Sequence, residues 1–283
     1  MLEHFIEEDE DGNRYVGKEA LHYKYEQFYN DFDSQNCIDP NKSRKHALYY
    51  FQMFYSMTED FSPIFFRTIY GAVSLLNNED KDTEPERIRL MKLLRSQLTN
   101  TELIMLRYNA MTVEGRKFKV LIVKFNLLKH LRPMDLLEYK YWSDKMTYEE
   151  RGYTNVLLII MRNNLTKVLK GRHLIESYSN NIMLYNTHVS LNKAGNELQI
   201  CLYIKNNIMP NKSSLIKGIL KLTPQDRISL LHHFAYDYFV VSSFNLVNKY
   251  NDILIVDIDD TLNGKWYVRV STKDGSKLKS DVN

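Results

Sequence analysis

Apolar residues recur at helical spacing through the first half of the chain. Leu21, Tyr25, Phe28 and Phe32 share one side of a helix within 17 to 34, which Pro40 and Asn41 close. A second helix follows, capped by Asn41 or Ser43, with Ala47, Leu48, Phe51, Phe54 and Tyr55 inward. Ser62 and Pro63 open a third along Phe66, Ile69, Val73 and Leu76, since proline at the first helical position forfeits no needed donor. After a polar connector, Thr83, Glu84, Pro85 and Glu86 start a fourth helix with Ile88, Met91, Leu94 and Leu98 on one side. The run from Thr99 to Glu102 then reads as a break followed by a capping box, so two helices are expected to meet at a polar corner. Gly115 closes the second of them, and 117 to 131 predicts another amphipathic helix that stops before Pro133.

Beyond about Tyr153 the pattern changes. Met183 to Leu191 and Glu197 to Ile204 are rich in strand formers and flank a plausible hairpin loop at 192 to 196. Tyr238 to Leu246, Asp252 to Ile258 and Lys265 to Thr272 add three candidate strands, the last after the Asn263 and Gly264 turn signal. The expected fold is mainly helical α+β. Residues 1 to 16 form an acidic N-terminal segment, 17 to 148 a helical bundle, and 149 to 283 a smaller mixed part with an antiparallel sheet.

Composition narrows the function classes. With 44% hydrophobic residues over 283 positions, and only 10 Gly and 6 Pro, the chain can bury a sizeable core and holds few linkers. Residues 1 to 16 carry six acids against Arg14, a net of −5, which leaves +8 for the rest of a chain whose total is +3. A mildly basic body suits RNA, a membrane surface or an acidic protein, although solvated lysines produce the same sum. Cys37 and Cys201 match no metal-ligand spacing and read as reduced thiols of a cytoplasmic protein, and no metal or cofactor is expected. The longest apolar run, Val156 to Met161, is far short of the roughly 20 residues that cross a bilayer. The aromatics Tyr49, Tyr50, Phe51, Phe54, Tyr55, Phe61, Phe65 and Phe66 keep helical periodicity and are expected in the core.

Three blocks stand in order: Phe65 to Tyr70 (FFRTIY), Met91 to Asn109 (MKLLRSQLTNTELIMLRYN) and Lys117 to Leu131 (KFKVLIVKFNLLKHL). Together they resemble the phage abortive-infection family of AbiC-like proteins. There an aromatic helix, a core block with an Arg, Gln, Glu and Tyr-Asn pattern, and a Lys-Phe-Lys helix follow one another. The resemblance starts near Gly17 and implies defence against phage, by a sensor or interaction effector that halts growth or kills the infected cell. A phage or host protein is the expected trigger, RNA a further partner class, and a homodimer an accessible state. Many members of that family look as though they begin with membrane helices, which this chain lacks in sequence. The family carries a role without an agreed chemistry.

The polar positions of the core block are Arg95, Gln97, Asn100, Glu102, Tyr108 and Asn109. Structurally, Arg95 can pair with Glu102 while Gln97 and Asn100 close backbone groups at the corner. Functionally, the same groups can form a polar pocket for a ligand or a phage component. An alternative from another class is a ribonuclease. Arg227, four residues and His232 match the spacing of HEPN-type toxin nucleases, with histidine moving the ribose 2′-hydroxyl proton and arginine holding the scissile phosphate. Ile253 to Leu262 also looks like the first motif of haloacid-dehalogenase phosphohydrolases. Too little chain follows to supply the later motifs, so a strand ending in an acidic turn is expected there.

Overall fold

The computed structural model describes residues 5–34, 39–59, 61–78, 84–169, 181–184, 187–191, 197–203, 217–238, 254–261 and 265–272. They form a mainly helical α+β fold in two compact units, one of residues 1–34 with 42–131 and one of 35–41 with 132–283.

The first unit opens with a hairpin that periodicity did not announce. Strands β1 (Ile6–Glu8) and β2 (Arg14–Val16) pair antiparallel in the register Ile6↔Val16. Asp9 builds the turn, accepting from the N–H groups of Asp11 at 3.1 Å and Asn13 at 2.8 Å, from the Asn13 amide, and from the Tyr15 hydroxyl at 2.9 Å. These bonds, the Asn13 side chain foremost, hold its carboxyl below the ordinary range although burial acts the other way. Gly17, at φ 66°, where a side chain is strained, then turns the chain into helix α1 (Lys18–Asp31), on which Tyr15 stacks through Tyr23 at 4.4 Å.

Helix α2 (Pro40–Met57) meets α1 through an aromatic layer: Phe28 stacks on Tyr50 at 4.2 Å and leans on Phe54 at 4.9 Å. Phe51, Phe54, Phe61, Phe65 and Phe66 are all buried, as their spacing requires. Tyr50 and Tyr55 are half-buried, and Tyr49 is 64% exposed on the outer face of α2. Truncating a buried phenylalanine costs about 3–5 kcal/mol, so these rings outweigh any surface ion pair of the bundle.

Helices α3 (Ser62–Asn78), α4 (Glu84–Gln97), α5 (Asn100–Met111) and α6 (Arg116–Lys124) complete the unit. Every residue from Thr101 to Ala110 is buried, so α5 is the central helix and has no solvated face. Its Tyr108 stacks on Phe51 at 5.2 Å. Helix α6 is shorter than the pattern of 117 to 131 predicts. It ends at Phe125 because Asn126 adopts φ 48°, a left-handed conformation that asparagine tolerates better than most residues.

The second unit begins with short 3-10 turns at Pro133–Asp135 and Leu137–Tyr139, helix α7 (Lys140–Ser143) and the long helix α8 (Tyr148–Leu169). Strands β3 (Asn181–Leu184), β4 (Thr187–Leu191) and β5 (Glu197–Tyr203) precede helices α9 (Lys217–Lys221) and α10 (Pro224–Tyr236), and β6 (Leu254–Thr261) and β7 (Lys265–Thr272) end it. The sheet is antiparallel throughout, in the order β3-β4-β5-β7-β6.

Three strand expectations change. The stretch from Met183 to Leu191 is two paired strands, closing at Leu184↔Thr187. The acidic stretch after Ile258 continues as strand instead of turning, and Asp257 lies opposite Arg269 and Asp259 opposite Tyr267. An antiparallel β6 is also unlike the parallel strand a phosphohydrolase motif needs. Tyr238, expected to start a strand, is helical, and the rest of its stretch, 239 to 246, lies outside the described residues.

Among the described residues no helix is long and apolar enough to cross a membrane. Cys37, the connector 79–83 and the loop 192–196 also lie outside those residues.

Candidate functional site

The corner between α4 and α5 is built by a capping box. Thr99 accepts from the Glu102 N–H at 3.2 Å, and Glu102 Oε2 accepts from the Thr99 N–H at 2.7 Å, so two of the donors orphaned at a helix start are satisfied within four residues. The same carboxylate takes Lys18 Nζ from α1 at 3.1 Å, and Lys18 also donates to the Gln97 carbonyl at 2.8 Å. Arg95 is not the partner of Glu102. Its Nη1 reaches the carbonyl of Asn126 at 3.1 Å, tying α4 to the left-handed turn after α6, and burial draws its pKa down.

The six polar positions of the core block therefore divide by depth. Glu102, Tyr108 and Asn109 are buried, Arg95 and Asn100 half-buried, and Gln97 exposed. The Asn109 carbonyl accepts from the Thr112 N–H at 2.9 Å and the Thr112 hydroxyl at 2.8 Å, which ends α5. Arg107 lies over the Tyr108 ring at 5.3 Å inside the bundle. Two groups of α1 face the corner without having been anticipated: Lys18 and His22, whose Nδ1 lies 3.0 Å from the Thr101 hydroxyl. Only their separation in sequence hid them, since α1 carries no feature that announces its partner helix.

Arg227 and His232 lie on α10 in the second unit. Thr223 caps that helix, accepting from the Asp226 N–H at 3.1 Å, and Pro224 follows in its first turn. The Arg227 guanidinium donates to the carbonyls of Ile219 and Leu220, each at 3.0 Å, so it closes the end of α9. His232 is half-buried, and burial lowers its pKa against the opposing pull of Asp39. A neutral imidazole can accept a proton, but five residues of helix place the two side chains about 140° apart around the axis. Holding a phosphate would also require Arg227 to release two carbonyls. The next residue, His233, is buried against Tyr139 at 4.6 Å and Trp142 at 5.2 Å.

Beside α10, Lys145 Nζ pairs with Asp226 Oδ2 at 2.8 Å and sits 3.9 Å from the Tyr141 ring centroid. Burial opposes the Asp226 charge, yet the Lys145 and Thr223 hydrogen bonds outweigh it and hold the carboxyl below its usual range. A carboxyl depressed by folding stabilises above its unfolded pKa and loses that contribution as pH falls through the folded one. The stability gap between wild type and Asp226→Asn should accordingly narrow between about pH 6 and about pH 3 in urea titrations. A gap independent of pH over that range would remove the ion pair from the forces holding α10.

Against known proteins, residues 63–136 match the sequence model of a family described as "Putative phage abortive infection protein". The match runs from the start of α3 to the first 3-10 turn and contains all three blocks read from the sequence, the α4–α5 corner included. Arg227 and His232 lie outside it. No curated protein and no solved structure matches the chain. The family supports a role in defence against phage.

Proposed function

We propose, with this abortive infection segment as premise, that the protein is a cytoplasmic defence effector. It senses infection through a phage or host protein and halts growth or kills the infected cell. The observation that carries the reading is the family match over residues 63–136. The α4–α5 corner is its recognition surface: Gln97 and Lys18 meet the partner, Glu102 holds Lys18 and Arg95 anchors α4, while Tyr108 and Asn109 secure the far end of α5. Support comes from the division by depth, since Gln97 and Lys18 are exposed, as are Thr99 and His22, while Glu102 is engaged inside the bundle and Arg95 and Asn100 are half-buried. Nothing in the geometry of Arg227 and His232 favours the ribonuclease over this reading.

The test is plaque formation by a panel of phages on bacteria carrying empty vector, wild type, Gln97→Arg or His232→Ala at matched protein levels. Wild type should protect and His232→Ala should retain protection. Gln97→Arg should lose it with a Tm within about 2 °C of wild type, as expected of a surface substitution. Protection lost in His232→Ala with intact folding would favour the nuclease, and a wild type that protects against no phage would overturn the defence reading.

A further inference from the structure

Helix α4 is held to the bundle along a narrow strip. Met91 is its one buried residue among those described, with Arg87, Leu94, Arg95 and Leu98 half-buried around it. The outer side carries exposed leucines: Leu90 is 38% exposed and Leu93 60%. At 3.6 residues per turn, Leu90, Leu93 and Gln97 fall within an arc of about 60° turned away from Met91. Their spacing, three residues and then four, is that of the core positions of a coiled coil.

Charge frames this stripe. Arg87 and Arg89 stand on its two sides, and Lys92 follows on the side of Arg89. Among the described residues none of these three cations pairs with an acid. The acids of α4, Glu84 and Glu86, both lie in its first turn, where the helix dipole favours them. At its other end the stripe runs into the α4–α5 corner, because Gln97 belongs to both and its carbonyl accepts from Lys18 Nζ.

Resting on the reading of that corner as a recognition surface, we propose that the outer stripe of α4 is the seam on which an acidic amphipathic helix of the trigger protein docks. Apolar side chains of that helix meet Leu90 and Leu93, and its carboxylates meet Arg87 and Arg89. A stripe confined to core positions is the seam of a helix pair, narrower than the apolar face that lies in a membrane surface. A second copy of this chain would bring the same cations to the contact, whereas an acidic helix neutralises them. Two leucines on a helix about 21 Å long make a small contact, suited to a partner that arrives only during infection.

The experiment is fluorescence anisotropy of a labelled synthetic peptide of about 21 residues, built of heptads with Leu at the core positions and Glu at the flanks, titrated with the full chain. A peptide with Lys at the flanks and vesicles rich in phosphatidylserine run in parallel. Wild type should bind the Glu peptide at least about tenfold more tightly than the Lys peptide. Leu90→Glu with Leu93→Glu should weaken that binding at least about tenfold, whereas Met53→Glu with Met57→Glu, which changes two exposed residues of α2, should stay within about twofold of wild type. Arg87→Ala with Arg89→Ala should weaken binding and reduce its dependence on KCl. Should the α4 double variant fail to fold by circular dichroism, Leu93→Glu alone replaces it with the same expected direction.

The proposal is overturned by equal affinity for the two peptides, or by equal loss in the α2 and α4 variants. Vesicle binding that disappears in the α4 variant while the peptide does not bind would assign the stripe to a membrane instead. A wild-type dimer in sedimentation velocity that the α4 variant converts to monomer would assign it to a second copy. In the plaque assay Leu93→Glu should lose protection, and protection kept despite lost peptide binding would separate the seam from the trigger and overturn the proposal. A wild type that protects against no phage would fell the defence reading, while the peptide titration would still decide the seam.

Discussion

Gly115→Ala is expected to destabilise the protein by about 3–5 kcal/mol, among the largest costs available to a single methyl group. Gly115 sits between α5 and α6 with φ −78°, an ordinary helical value, so the cost is not conformational. It comes from space: a Cβ at this position would lie 1.9 Å from the Asn109 carbonyl oxygen and 2.5 Å from its carbon. Both are backbone atoms, and that oxygen already receives two bonds from Thr112, whose hydroxyl in turn accepts from the Gly115 N–H at 3.2 Å. Relief requires α6 to move off the end of α5, which breaks the turn holding the Lys117 to Leu131 block against the central helix. Urea unfolding followed by circular dichroism measures the loss. A variant within about 1 kcal/mol of wild type would show that the connection yields easily and that this turn does not set the position of α6.

Gly218→Ala is expected to act in the same range, about 3–5 kcal/mol, on the second unit. Here the added Cβ would lie 2.3 Å from both the Glu150 carbonyl oxygen and the Thr154 hydroxyl of α8. Thr154 already donates to that carbonyl at 2.9 Å, so neither atom can retreat without costing α8 a bond. Displacing α9 also removes the carbonyls of Ile219 and Leu220 from Arg227, so the loss extends to α10. Gly152 supplies the control, because it lies on the same α8 and a Cβ there meets nothing within 4 Å. Gly152→Ala should gain about 0.5–1 kcal/mol from helix propensity. Equal effects from the two alanines in parallel urea melts would mean that α9 and α8 do not touch as closely as 2.3 Å.

Much of the helical unit was legible because its signals are local. The capping box at Thr99 and Glu102 is spelled in four consecutive residues, and the aromatic positions of α2 and α3 repeat at 3.6. The hairpin at β1 and β2 was hidden by its charge. Glu7, Glu8, Asp9, Glu10 and Asp11 read as a solvated tail, yet Asp9 uses its carboxylate to build the turn. The length of α6 was overestimated because the apolar pattern continues past Asn126, while the backbone does not. The break inside 183 to 191 was missed because both strands are made of strand-forming residues and the register, not composition, separates them.

Residue order by itself determined the period of each helix, the caps that start α5 and α10, the three ordered blocks of the segment that matches the family model, and the strand-rich character of the later half. All of these depend on neighbours within a turn or two, where backbone geometry leaves little choice. Only the tertiary structure decided that α5 is buried on every side and that Glu102 answers to Lys18, 84 residues away, instead of Arg95. It also decided that Arg227 serves the end of α9. Side chains on different helices have no fixed spacing in sequence, so their partners are set by which faces pack to bury apolar surface.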